Sequence, residues 1–260
     1  MMSSLIKFGC LSLFLFSCSS YAVWPSVFNQ NSFELSANAG AARLDAGDST
    51  FGVTDTETDN LRQTHNPDAG ELGLGFAYLI PLNTYLSISG VQLFPGLKTA
   101  INLRYMSHEI FDHSIQGQIE QYQDPLMDNY TYYLSISSTQ LMADLALTVA
   151  SFHQVSLFLT GGIGNGWTRL HYEDRPNAGV YGGGLHLKNS SKNGFVSEVG
   201  AGVSYGWTSH LSVSLEYLYT RLNEIKTARY GILNGEPAII TPAQFSLHSS
   251  AILAGVHLKI

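Results

Sequence analysis

The chain has 260 residues, 45% of them hydrophobic but only 13% charged, about half the ~25% charged share of ordinary soluble domains. Its 13 Lys+Arg face 20 Asp+Glu, too few cations to neutralise phosphates, so no nucleic acid is expected as a partner. The apolar content excludes disorder, and a chain this poor in charge with no long apolar helix points to a solvent other than water.

Residues 1–22 read as a secretory signal peptide: Lys7 is the positive start, 8–16 the apolar core, and Ser20-Tyr21-Ala22 the small-x-small cleavage site. That core is too short to span a bilayer. Leu15-Phe16-Ser17-Cys18 offers a second reading as a lipidation box, with Phe16 a poor fit in it. Cleavage after Ala22 would remove Cys10 and Cys18, leaving 23–260 with no disulfide, no thiolate catalysis and no zinc-thiolate site. It would also remove Lys7, so 12 Lys+Arg would face 20 carboxylates, a net charge of −8.

After the signal, hydrophobic residues alternate with period 2, and helical stripes are scarce. In chain order the alternation predicts eight strands, over 33–42, 71–80, 101–106, 141–149, 155–164, 195–207, 211–219 and 252–260. Most match the ~9–11 residues of a tilted membrane-crossing strand rather than the ~5–6 of a soluble one. Long connections, 44–69, 111–130, 171–194 and 223–244, alternate with short ones, 150–154 and 208–210. Outer-membrane barrels have longer outer loops and short periplasmic turns, so both termini fall on the periplasmic side. The link 81–98 breaks the rule, with its own alternating stretch and Phe94-Pro95-Gly96; it reads as an extra ribbon or as an extension of the third strand. The predicted fold is all-β, a closed antiparallel eight-stranded transmembrane β-barrel over 23–260.

With those strands in place, the sequence resembles the small OmpA-like and OmpX-like outer-membrane barrels over 33–260. The sharpest local match is Leu253-Ala254-Gly255-Val256-His257-Leu258-Lys259-Ile260. The family's assembly signal has a glycine six from the end, an apolar or aromatic residue third from last and an aromatic last residue. Gly255 and Leu258 fit, Ile260 replaces the aromatic residue, and Leu253 departs from the usual polar one. The resemblance implies docking of the last strand on the barrel-assembly machinery during biogenesis. It also implies a bacterial outer-membrane location, with outer-membrane lipid and lipopolysaccharide as surroundings.

Polar residues on the inward phase define the main candidate site: Glu34, Glu71, Asp144, Glu198 and Glu216, with Arg104 as the clearest inward cation. An eight-stranded barrel is just wide enough to be filled by side chains. The expected arrangement is therefore an ionic plug in which Arg104 bridges two or more carboxylates. The alternative is a narrow cation-preferring pore, because five carboxylates outnumber one Arg.

Other motifs carry less chemistry. His210-x-Ser212 with Glu224 resembles the spacing of outer-membrane lipid A deacylases, but His210 and Glu224 fall at opposite ends of a strand, some 45 Å apart at ~3.3 Å per residue; no triad and no catalytic residue is expected. Asp45, Asp48, Asp55, Glu57, Asp59 and Asp68 read as a solvated acidic loop, since Asp55-x-Glu57-x-Asp59 lacks the glycine and closing glutamate of a calcium loop. Arg175-Pro176-Asn177 with Gly182-Gly183-Gly184 reads as a flexible loop tip. Trp167, Trp207, Tyr217 and Tyr219 suit interfacial girdles. No metal and no cofactor is expected. The expected role is structural or surface-interactive through the outer loops, whose partner is unknown, and the apolar content is read as a lipid-facing outside rather than a core.

Overall fold

The computed structural model describes residues 32–54, 57–82 and 86–260, so the signal-peptide reading, with Cys10 and Cys18, lies outside the described residues. Eight long strands form the wall: β1 (Ser32–Asp45), β2 (Asp68–Pro81), β3 (Val91–Ser107), β4 (Tyr130–Phe152), β5 (Val155–Pro176), β6 (Ser190–Gly206), β7 (Leu211–Arg221) and β8 (His248–Lys259). Each pairs antiparallel with its chain neighbours, and β8 returns to β1 with Glu34 opposite Lys259 and Asp45 opposite His248. Across the lipid-facing part of the wall closure leaves no free edge, as a lipid-immersed sheet requires; on the outer side β6 residues 190–196 pair only with β5.

Alternation sorts the side chains as the sequence pattern predicts. Leu74, Ile101, Ile163, Val199 and Ile252 point outward, each more than half exposed, while Glu71, Arg104, Asp144, Glu198 and Leu253 on the opposite phase are buried. Aromatic residues border the outward apolar band at both ends. Phe33, Tyr78, Phe152, Tyr205 and Trp207 ring the short-turn end; Tyr105, Trp167, Phe195 and Tyr219 ring the other. Such girdles mark the two membrane–water interfaces. The link after β2 combines both readings of 81–98: β3 begins early, at Val91, and its first residues also pair with a short strand, Leu86–Ile88.

Beyond the outer girdle the structure departs from expectation. β4 has 23 residues and β5 has 22, about twice a tilted membrane crossing, so both continue well past the bilayer. Segments read as loops pair alongside them. Ile115–Glu120 pairs with β4 and with Thr58–His65, which pairs with Ser49–Gly52. On the other flank, Leu185–Leu187 pairs with β5 and with Tyr230–Leu233, which pairs with Glu236–Ile239. Gly52 and Thr241 exchange backbone hydrogen bonds of 3.3 and 2.8 Å, joining the two flanks. The outer connections therefore build a second ring of strands on top of the first.

That upper ring encloses a true apolar core. Leu44, Phe51, Leu61, Ile115, Tyr132, Leu134, Tyr172, Leu185 and Phe245 are buried there, continuous with Met106, Met142, Val196 and Leu218 at the top of the barrel. Tyr172 stacks on Tyr132 at 6.2 Å and meets Phe51 at 6.1 Å. This corrects the reading of the apolar content as an outside alone: part of it is a conventional core, in which each fully buried large side chain contributes about 1.5–3 kcal/mol.

Candidate functional site

Three layers of side chains fill the interior. At the periplasmic mouth Glu34 accepts from Lys98 at 3.2 Å and from His257 Nδ1 at 2.9 Å, and His257 Nε2 meets the Ser214 hydroxyl at 2.7 Å. Gly255, two residues before His257 on the same inward face, leaves room for that pair, because a Cβ there would lie 2.6 Å from Ser214 Oγ. The cation Lys98 and the imidazole of His257 are partners that the count of one Arg against five carboxylates overlooked. Their inward phase, even numbers on β3 and odd on β8, was the available signal.

Arg104 occupies the middle layer. Its guanidinium grips Glu198 on β6 through both terminal nitrogens, and Nη2 also donates to Asp144 Oδ2 on β4 at 3.2 Å. Asn102 donates to the same Asp144 oxygen. Gly162 on β5 makes the close approach possible, since a side chain there would collide with Asp144. Glu71 and Glu216 share this level; Glu71 is within electrostatic reach of Arg104 and Glu216, and Glu216 Oε1 has no hydrogen-bond partner. The six residues singled out on the inward phase thus fall in two layers, Glu34 apart from the other five.

Above the middle layer the apolar core closes the interior, with a few buried polar side chains, among them Gln140, Ser138 and Thr168, set between its apolar residues. Two cavities of about 60 and 50 Å³ flank the Lys98 and Arg104 layers, enough for a few waters, and neither is lined by the core residues above Met142.

The cap holds carboxylates that the sequence placed in solvent. Asp59 is buried and accepts from the Tyr122 N–H at 3.0 Å. Burial pushes its carboxyl up to about 6, with the neighbouring Glu57 and Asp174 adding to the effect. Asp174, also buried, is pushed up to about 6 by the same loss of water, although it accepts from the Leu185 N–H at 2.7 Å and the Tyr172 hydroxyl at 3.0 Å. Both line a cavity of about 190 Å³ with Glu57 and Asn234. Asp59 therefore corrects the reading of a solvated acidic loop. Asp55 lies outside the described residues, and no group of three or more His, Cys, Asp or Glu among the described residues could hold a metal. The glycine-rich tip is tied down: Gly183 N–H donates to Asn234 Oδ1, and Asn177 N–H donates to the Asn129 carbonyl at 2.8 Å.

His210 sits in the turn before β7, where Ser209 Oγ meets its Nδ1 at 2.8 Å. Glu224 lies past the far end of β7 and accepts from Gln244 at 2.9 Å. The strand Leu211–Arg221 separates them, so no triad forms. At the C-terminus Leu258 and Ile260 face outward, 48% and 66% exposed, and the Ile260 N–H donates to the Phe33 carbonyl at 2.8 Å.

A closed wall of alternating strands, lipid-facing outside and filled inside, defines an integral membrane β-barrel. The chain matches the outer membrane protein beta-barrel domain family over residues 8–236 and belongs to it, which locates the protein in the bacterial outer membrane. No curated protein matches it. Among solved structures it is similar to Neisserial surface protein A, at 13% identity over 89% of this chain and 99% of that one, TM-score 0.43. It is also similar to the outer membrane protein OprG from Pseudomonas aeruginosa, at 12% over 88% and 97%, TM-score 0.44. A third similar structure is the outer membrane protease OmpT from Escherichia coli, at 11% over 87% and 97%, TM-score 0.44.

Proposed function

We propose that this barrel is a non-enzymatic, non-conducting anchor that holds a rigid cap above the membrane as a contact surface. The observation that carries the reading is the pairing of a buried cap core with large apolar side chains left bare at its tips. Leu126 is 90% exposed and Tyr181 fully exposed, with Tyr122 and Met127 also uncovered. Their segments are fixed: Met127 N–H donates to Asp124 O at 2.9 Å, Gln121 N–H to Met127 O at 3.1 Å, and Asn177 Nδ2 to Asp128 O at 2.6 Å. Exposed aromatic and aliphatic residues on a preorganised scaffold suit binding, because little ordering entropy is lost on contact. The Arg104 layer and the apolar core above it argue against the pore alternative, and the separation of His210 from Glu224 against lipid A deacylation. Leu258 and Ile260 on the outer face, with Gly255, support docking of the last strand on the assembly machinery.

The test compares cells carrying the wild type, the L126S/Y181S double variant and no barrel, at matched surface levels, for adhesion to one another and to immobilised matrix. Loss of adhesion in the double variant is expected. Equal adhesion by cells lacking the barrel would sink the proposal.

A further inference from the structure

The barrel wall has a lateral gap. Ser197 opposite Arg221 is the last pair between β6 and β7; beyond it, β6 residues 190–196 pair only with β5, while the chain after β7 turns to β8 through the Leu222 N–H to the Leu247 carbonyl, 3.0 Å. Between the diverging strands lies a cavity of about 470 Å³, lined among others by Lys192, Phe195, Arg221, Asn223, Glu224 and His248.

Its chemistry is that of an anion site. Arg221 and His248 are direct cross-strand neighbours on the outward face, and Lys192 lines the same cavity from β6, on the strand's other phase opposite Thr168. Lys192 and Arg221 are exposed, and neither forms an ion pair among the described residues. The one carboxylate in the lining, Glu224, is already engaged by the Gln244 amide. Asn223 is 9% exposed; its Oδ1 accepts from the Thr168 hydroxyl at 3.2 Å, and its buried Nδ2 has no partner. A buried donor left without an acceptor is uncommon in folded proteins. His248 Nδ1 meets the Tyr219 hydroxyl at 3.0 Å, and the neutral tautomer in which it accepts there offers an additional N–H at Nε2.

The position selects the source of the anion. Arg221 is two residues beyond Tyr219, about 7 Å at ~3.3 Å per residue, and Phe195 beside it is 65% exposed. The gap therefore sits just outside the aromatic girdle, at the level of the headgroups. Guanidinium and ammonium groups with a free amide N–H match the oxygens of a phosphate group.

We infer that the gap between β6 and β7 binds the phosphate group of an outer-leaflet lipid, held by Arg221, Lys192 and the Asn223 amide. The site lies on the wall, apart from the cap tips, so it stands or falls separately from the proposed surface role.

The test uses the full barrel refolded in detergent micelles and titrated with diphosphoryl lipid A, with its dephosphorylated form, and with inorganic phosphate alone. Wild type should prefer the phosphorylated lipid about tenfold or more, the scale of a charge-assisted hydrogen bond. The preference should vanish in K192Q/R221Q and in N223D, while heat-modifiable gel mobility stays that of the wild type. Equal affinity for the two lipids, or a double variant that keeps the preference, would overturn the inference. Saturation by inorganic phosphate at the same affinity as the lipid would overturn the lipid assignment in favour of a soluble anion.

Discussion

Arg104 on β3 reaches across the lumen to Glu198 on β6 and holds its carboxylate with both terminal guanidinium nitrogens. The two strands are not neighbours in the wall, so this contact ties opposite sides of the barrel together. Both side chains are buried, which makes the pair sensitive to loss of one partner.

Arg104→Leu leaves Glu198 and Asp144 buried without their cation, a change that typically destabilises by about 3–5 kcal/mol. Equilibrium unfolding in urea should show that loss, and gel mobility should shift to the unfolded form at lower temperature. The double variant R104L/E198L should recover part of it, because it removes one of the two orphaned carboxylates and leaves only Asp144 without its cation.

Asp59 and Asp174 make the cap pH-dependent. Their folded carboxyls sit at about 6, above the ~3.9 of an unfolded aspartate. As pH rises from about 4 to above 6, the unfolded segments release these protons first, so the cap loses stability, on the order of 2 kcal/mol per carboxylate. Protection factors for amide exchange in 115–120 and 185–187, with the base-catalysed intrinsic rate divided out, should be higher at pH 5 than at pH 8. In D59N/D174N that difference should largely disappear; an unchanged pH profile would show that other groups control it.

Phe245 anchors the outermost connection, fully buried within the cap. Phe245→Ala should destabilise the cap by about 3–5 kcal/mol through the cavity it leaves. Limited proteolysis should then cut within 223–247, while the membrane-embedded strands remain protected.

The layered interior is expected to block ions. Wild-type protein in a planar bilayer should show no discrete conductance steps. Cation-selective steps would restore the pore reading, and their disappearance in D144N would place the path beside Arg104.

The wall was legible in the sequence because a strand repeats every two residues and lipid imposes one apolar face. Leu74, Ile101 and Ile252 announce that face, and Glu71, Arg104 and Glu198 the opposite one, with no knowledge of their partners. The cap was not legible, because its strands are short or polar: Asp59 and Asn60 lie in one, and Leu185–Leu187 is only three residues long. One signal was present. Tyr132, Leu134 and Ile136 continue the inward phase of Met142 and Asp144, which places apolar residues where a barrel lumen facing water would not hold them.

By itself, then, the sequence determined the crossing strands, their facing and the outer-membrane setting, since each depends on local alternation and on the solvent. Only the tertiary structure decided that Arg104 reaches Glu198, that Lys98 and His257 serve Glu34, and that four outer connections close into one core. Those contacts join residues far apart in the chain, and their existence depends on the register and closure of the barrel, which no local pattern encodes.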